Sequence, residues 1–410
     1  MDDLRLAWKN LWRNRRRTLI TLAAIAVSIT LMQAAHNLSF GVYATMIDSG
    51  VRAGSGHLSI YRQGYLKDRD PQLSFNPANL ADQIDGLAGV EAVLPRIYLP
   101  GLAQSSRDSR GILLTGTDPL SEYRINPFLR NLPATQMIRA ENQRDAVVGQ
   151  RLFDELKLPA GGKFVVTVQG QQGELASELL RVRGVFTSGI KEIDRSLVLV
   201  ERQRAASMSG QPQQIHELAI ILKPQANEKW LIDQIDRLLN EHPNLILVGW
   251  QEAMANLADA IRLDYAAQKF IFLIIILIVT IGVVNTLLMS VMERIPEFGV
   301  ILALGAPPWR LQRMLLSEAL LLGIIGMLLG SLCGSLATWY LQVVGLDLRY
   351  FVSSSLEFGG VVFDPIMRAD WDLRWMIKMA FYVCGLALLA AWYPARKAGK
   401  ISPAVAMRHY

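Results

Sequence analysis

Charge-free apolar runs divide the chain. No residue carries a full charge over 18–47, 270–292, 319–346 or 379–395. A helix rises about 1.5 Å per residue, so about 20 apolar residues cross a hydrocarbon core of roughly 30 Å. Three of the runs are long enough. Trp375, Met376 and Ile377 extend the fourth past Lys378, whose ammonium can snorkel to the headgroups. The pattern predicts four transmembrane helices, over 18–47, 269–292, 314–346 and 375–395.

Between the first two runs the period changes. Residues 57–61 (HLSIY), 90–99 and 215–222 (IHELAIIL) read as strands, with 245–248 as a fourth. Short amphipathic helices are expected over 78–87 and 228–241. These make two β-α-β units at opposite ends of a domain spanning 48–268, an α+β layer into which a β-rich second lobe, about 110–200, is inserted. The clearest strands of that lobe are 164–169, 179–186 and 196–200, with a tight turn at 170–173 (GQQG). From 251 to 268 helix formers run without Pro or Gly into the second apolar run, which predicts one helix entering the membrane from the domain.

Charge sets the expected orientation. Six Lys/Arg precede Thr18, three lie in 293–313, and four follow Ala395 with no Asp or Glu. The loop 347–374 holds three basic and five acidic residues, and 48–268 holds 24 Lys/Arg against 26 Asp/Glu. The positive-inside rule then puts both termini (1–17 and 396–410) and the loop 293–313 in the cytoplasm, with 48–268 and 347–374 outside the inner membrane. The overall charge of +6 therefore hugs the membrane surface and gives no reason to expect nucleic acid. The first run follows a basic segment but is too long for a cleaved signal, so it reads as an uncleaved anchor.

Chemistry-bearing residues are sparse. No G-x-x-x-x-G-K-[ST] phosphate loop occurs, and the five histidines lack i, i+4 or C-x-x-C spacing. Cys333 and Cys384 both fall in expected membrane helices. Glu318 lies just inside the third, where the helix dipole and Arg310 or Arg313 are its expected partners. Gln33, His36 and Asn37 form a polar cluster near the outer end of the first. They are candidates for interface residues or for a lateral lipid entrance.

Three segments on the basic side are informative together. Residues 6–19 form an amphipathic stretch of Leu, Trp and basic residues suited to a membrane surface. In 293–310 a short apolar helix ends at Gly305 ahead of Pro307 and Pro308, and offers Phe298, Ile301, Leu302 and Leu304 to a partner. The tail carries Tyr393, Pro394, Ala395, Arg396, Ala398 and Pro403.

These segments resemble the ABC permease family that includes FtsX, the MacB exporter and the lipoprotein-releasing permeases LolC and LolE. Its members show a loop M-x-x-x-E-R-x-x-E-x-G-x-x-x-A-x-G and a tail Y-P-A-R-x-A-x-x-x-x-P. Here the loop is matched by Glu293, Arg294, Glu297, Gly299, Ala303 and Gly305. The size of the outer domain, GHLSIYR at 56–62 and the run 250–264 look most like LolC and LolE. The turn at 170–175 is shorter than the hook with which LolC recruits its carrier.

The resemblance implies a polytopic α-helical membrane protein with four spans and a large two-lobed α+β periplasmic domain between the first and second. It implies a subunit without catalysis, metal or cofactor of its own, with ATP bound by a partner ATPase. That ATPase would be contacted through Glu293, Arg294, Glu297, Phe298, Gly299, Ile301, Leu302, Leu304 and Gly305. Further implied partners are a second copy or paralogue, membrane lipids, and a periplasmic lipoprotein carrier or adaptor. Three functions stay open: extraction of lipoproteins or lipids, an FtsX-like scaffold that activates a cell-wall hydrolase, and a MacB-like pump with an adaptor and outer-membrane duct.

Overall fold

The computed structural model describes residues 2–130, 132–139, 144–170, 173–188, 191–348, 357–358, 361–362 and 366–399. Part of the turn at 170–173, part of the loop 347–374, and Pro403 with the rest of the tail beyond 399 lie outside them. The chain divides into two compact units. One comprises 1–43, 263–351 and 365–410, and the other 44–262 with 352–364.

The first unit is helical. Among the described residues four helices are long and apolar enough to cross a membrane: Arg15–Ala53, Ala255–Glu293, Pro308–Val343 and Leu373–Ala398. They are termed here the first to fourth spans. The 39-residue helices are about 58 Å long, more than a bilayer core of about 30 Å requires. The helix expected to start at 251 begins at Ala255, after a short turn of helix, Trp250–Ala253, that ends at Met254. The amphipathic stretch is a separate helix, Asp2–Arg13, broken from the first span at Asn14. The Thr18 hydroxyl closes this elbow by donating to the Leu11 carbonyl at 2.6 Å.

What joins the first and third spans is a stripe of glycine. Gly326, Gly330 and Gly334 recur every fourth residue on the third span and are buried. A Cβ on Gly326 would come within 2.6 Å of Ile25, and one on Gly330 within 2.7 Å of Ile29. At Gly334 it would run into the Gln33 carboxamide. Thr338 continues the stripe and meets Asn37. The two helices thus run parallel in register, 25 with 326 through 37 with 338, at the close approach that small residues permit in a membrane.

Among the described residues the second unit is built on a nine-stranded sheet: β1 (Leu58–Arg62), β2 (Val90–Gln104), β3 (Ser109–Thr117), β4 (Asp145–Gly149), β5 (Lys163–Gln169), β6 (Leu175–Phe186), β7 (Leu197–Glu201), β8 (Glu217–Leu222) and β9 (Leu245–Gly249). Their order is β3-β7-β4-β6-β5-β2-β8-β1-β9, and β2 also pairs with β3. That last pairing closes β2, β3, β7, β4, β6 and β5 into a ring, while β8, β1 and β9 extend from the other half of β2. The two expected β-α-β units are present, with helices Ala78–Asp85 and Glu228–Leu239. They interleave, because β8 sits between β2 and β1. β2 passes unbroken from one set of pairings to the other, at Arg96 and Ile97. The inward residues Leu58, Ile60, Leu99, Leu114, Val166 and Ile220 belong to one continuous core.

Candidate functional site

The turn between the second and third spans assembles most of the motif residues. Helix Ile295–Ala303 starts with Pro296 in its first turn and is closed by a Schellman motif. There the Gly305 amide donates to the Leu302 carbonyl (3.0 Å) and the Ala306 amide to the Ile301 carbonyl (3.2 Å). Gly305 has φ +90°, the left-handed conformation expected of it, and a Cβ there would meet no neighbour. Backbone strain, not crowding, is thus the reason for glycine.

Arg294 is the hub of this turn. It donates to Glu318 on the third span at 2.8 Å and to Glu297 at 3.2 Å, and its guanidinium lies 5.1 Å above the Phe298 ring. Asn10 on the amphipathic helix donates to the same Glu318 oxygen at 2.7 Å. Arg13 pairs with Glu297 at 2.6 Å, and Arg17 with Glu293 at 2.9 Å. Burial pushes the Glu297 carboxyl up, but the hydrogen bonds from Arg13 and Arg294 outweigh it and hold the group below the ordinary 4.5. The partners expected for Glu318 are corrected here. It lies ten residues beyond the start of its helix, too far for the dipole, and Arg294 and Asn10 hold it, while Arg313 lies 5.2 Å over the Trp309 ring.

A second correction concerns the apolar anchors. Phe298 is fully buried among Val291, Leu311, Leu315, Ala395 and Ala398, so it fastens the turn to its own protein. Gly299 is buried as well, and Ile301 and Leu302 are half-buried against the same cluster. The apolar side chains open to a partner are Leu304 (82% exposed), Val300 and Trp309. Val300 was missed because helical spacing marks two possible faces and does not say which one the chain covers itself, and Trp309 because it opens the next helix, Pro308–Val343, beyond Gly305. The same cluster explains the tail motif. Ala395 and Ala398 pack against Phe298, Pro394 is buried within its helix, and Arg396 stacks over Trp392 at 5.1 Å.

Gln33, His36 and Asn37 are buried. The four-residue repeat places Gln33 and Asn37 on the face of the first span that carries Ile25 and Ile29, against the third span. Asn37 donates to Thr338 at 3.0 Å and Gln33 to Ser331 at 3.3 Å. His36 stacks on Trp375 at 3.8 Å, with its ring nitrogens 3.2 Å from Asp372 and 3.3 Å from Gln268. A lipid would reach these groups only if the helices parted. Among the described residues an open apolar crevice lies elsewhere in this unit, a groove of about 500 Å³ between the first and second spans. It is lined by Ile20, Ala24, Val27, Ile278, Gly282 and Val283.

The sheet unit hides a polar centre that sequence patterns did not mark. Arg96 is 2% exposed, pairs with Glu122 at 2.8 Å, lies 3.8 Å from Glu217, and donates to the Gly54 carbonyl. Tyr61 and Tyr98 both donate to Glu217. Next to it, His216 accepts from the Tyr98 amide at 3.0 Å and donates to the Pro71 carbonyl at 2.8 Å. A second proton would face the Tyr98 N–H. Burial pushes this imidazole below 6.5, against the raising effect of the Pro71 bond.

Among the described residues, four helices able to span a membrane, a turn helix pinned at a buried ion pair and a folded β-rich unit describe a polytopic membrane protein. The chain belongs to the ABC transporter permease family of the FtsX and MacB type: an FtsX-like permease C-terminal model matches 269–403, and a MacB-like periplasmic core model matches 18–238. The family read from the loop and tail motifs is therefore borne out, and with it an inner-membrane permease carrying a periplasmic domain. The chain is 22% identical over 399 residues to the lipoprotein-releasing system transmembrane protein LolC of Neisseria meningitidis serogroup B, covering 96% of this chain and 94% of that one. It is 21% identical to LolE of Haemophilus influenzae over 80% of this chain and 79% of that one. Among solved structures, the periplasmic region of MacB from Actinobacillus actinomycetemcomitans aligns with a TM-score of 0.37 and 12% identity, over 50% of this chain and 94% of that one.

Proposed function

We propose that this chain is the membrane subunit through which a separate cytoplasmic ATPase drives motion of the periplasmic domain, and that its load is a lipoprotein or other lipid withdrawn from the inner membrane. The observation that carries this is the turn helix Ile295–Ala303. It joins two spans, is locked to the third by Arg294 and Glu318, and leaves Leu304, Val300 and Trp309 uncovered. A push there reaches two membrane helices at once. The basic residues around it favour the cytoplasmic side.

The lipid load is supported by the relatives named as lipoprotein-releasing and by the groove between the first and second spans, whose apolar lining suits an acyl chain. The outward side chains of the second span, Phe270, Leu273, Ile274, Leu277, Ile278 and Ile281, are exposed and suit lipid or a second copy. Purification from the native host with the ATPase, followed by mass spectrometry of bound lipid and protein, tests both halves. Leu304→Asp removes an exposed anchor and should weaken ATPase binding about thirtyfold, the effect of about 2 kcal/mol, without loss of membrane insertion. An undiminished ATPase complex in that variant would remove the turn helix from the mechanism. A cell-wall hydrolase in place of lipid cargo would favour a signalling scaffold.

A further inference from the structure

The amphipathic helix Asp2–Arg13 has two faces with different chemistry. Ala7 and Leu11 are buried, and between them Asn10 reaches Glu318 on the third span. The opposite side exposes Leu6, Trp8 and Trp12, with the two indoles edge to face at 5.9 Å. Lys9, Arg13, Arg15 and Arg16 are exposed beside them, and no acidic residue occurs from Leu6 to Arg16. The helix ends two residues before the first span, and the Thr18 to Leu11 hydrogen bond fixes the elbow. Connectivity therefore holds this face at the membrane boundary. Indoles favour the headgroup level, and clustered Lys and Arg favour anionic lipid.

Arg13 is placed differently from its basic neighbours. Among the described residues, it alone of these four pairs with a carboxylate, Glu297 on the turn helix, while remaining 61% exposed. A phosphate at the membrane surface would compete for the same guanidinium. We infer that this helix is a lipid-charge sensor: it docks on an anionic phospholipid surface, and its seating is passed through Arg13 to the turn helix. The docking stands by itself, and its effect on the ATPase rests on the coupling role proposed above.

The full chain, with Cys333→Ser and Cys384→Ser, carries a nitrobenzoxadiazole label at Leu6→Cys in nanodiscs. The discs contain phosphatidylcholine alone or phosphatidylcholine mixed with phosphatidylglycerol. The emission shifts to the blue in the mixed discs and returns in high salt, where surface charge is screened. Each of Lys9→Gln, Arg15→Gln and Arg16→Gln lowers the seated fraction relative to the lifted one about fivefold. In a second background, thiol reactivity of Leu304→Cys on the turn side differs between the two lipids, and Arg13→Gln removes the difference. Identical emission in both lipids overturns the docking. A shift that follows protein density in the disc and not lipid charge also overturns it and assigns the face to a second copy. Lipid-dependent emission with lipid-independent Leu304 reactivity overturns the transmission through Arg13. Failure of the Leu304→Asp variant to lose the ATPase would instead count against the coupling role, leaving the lipid docking intact.

Discussion

Each unit buries an arginine between two carboxylates, and the surroundings differ. In the sheet unit Arg96, Glu122 and Glu217 are all at or below 3% exposure, Tyr61, Tyr98 and Asn126 donate to the carboxylates, and the Gly54 carbonyl accepts from Arg96. In the helical unit Arg294 and Glu318 are nearly as buried, but the third member, Glu297, is 40% exposed and shared with the surface residue Arg13. A sealed network has no alternative partners, so it pins one arrangement. A network with one open edge can exchange a partner at little desolvation cost. The difference separates a site that holds a fold from a site that can pass a change along.

Arg96→Met is expected to be the most damaging change in either network. It strands two buried carboxylates and should cost about 5 kcal/mol, near the upper range for breaking a buried pair and a large share of domain stability. Proteolysis of the periplasmic domain in the full-length protein measures it, and adding Glu122→Gln and Glu217→Gln should restore part of the loss. Arg294→Met should cost less, about 3 kcal/mol, because Asn10 still donates to Glu318 and Arg13 still holds Glu297. Glu318→Gln in the same chain should recover most of it, read as resistance to detergent-induced unfolding. Gly330→Leu asks whether the helix contact beneath the open site is rigid. The side chain would enter the space of Ile29 and Ala26, at about 1–3 kcal/mol for overpacking, and should reduce a disulfide engineered between the first and third spans.

The smallest effect is a difference in acid sensitivity. His216 has a folded value below 6.5, so the unfolded chain takes up the proton first. Its contribution is complete above 6.5 and falls as the pH drops from there toward the folded value. Glu297 has a folded value below 4.5, so its contribution is present above 4.5 and fades only as the pH falls further. Hydrogen exchange of the full chain should show the sheet around β2 and β8 loosening in mild acid before the turn helix does. His216→Gln should flatten the first response and leave the second unchanged.

The spans were legible because charge exclusion over about 20 residues has few explanations besides a bilayer. β1, β2, β8 and β9 were legible by their runs of Leu, Ile and Val, and Gly305 by its place ahead of two prolines. β3 was hidden by Gly111 and Gly116, and β4 by an apolar run that is only 146–148 between Asp145 and Gly149, so the ring they complete could not be foreseen. The glycine repeat on the third span was in plain view, yet it needs a partner helix to acquire meaning. Arg294 and Glu318 lie 24 residues apart with a turn between them, and no local pattern joins them. Gln33 and Asn37 share a face with Ile25 and Ile29, which the four-residue spacing could have revealed.

On the proposed function, the turn helix carries force from an ATPase into the spans. This coupling is tested most directly by ATP turnover and lipoprotein release in nanodiscs holding this chain with its ATPase, comparing wild type, Leu304→Asp and Trp309→Ala. Both variants should remain inserted with the periplasmic domain folded, ATP turnover should fall to that of the ATPase alone, and release should cease. Turnover and release at wild-type levels in both variants would contradict the account.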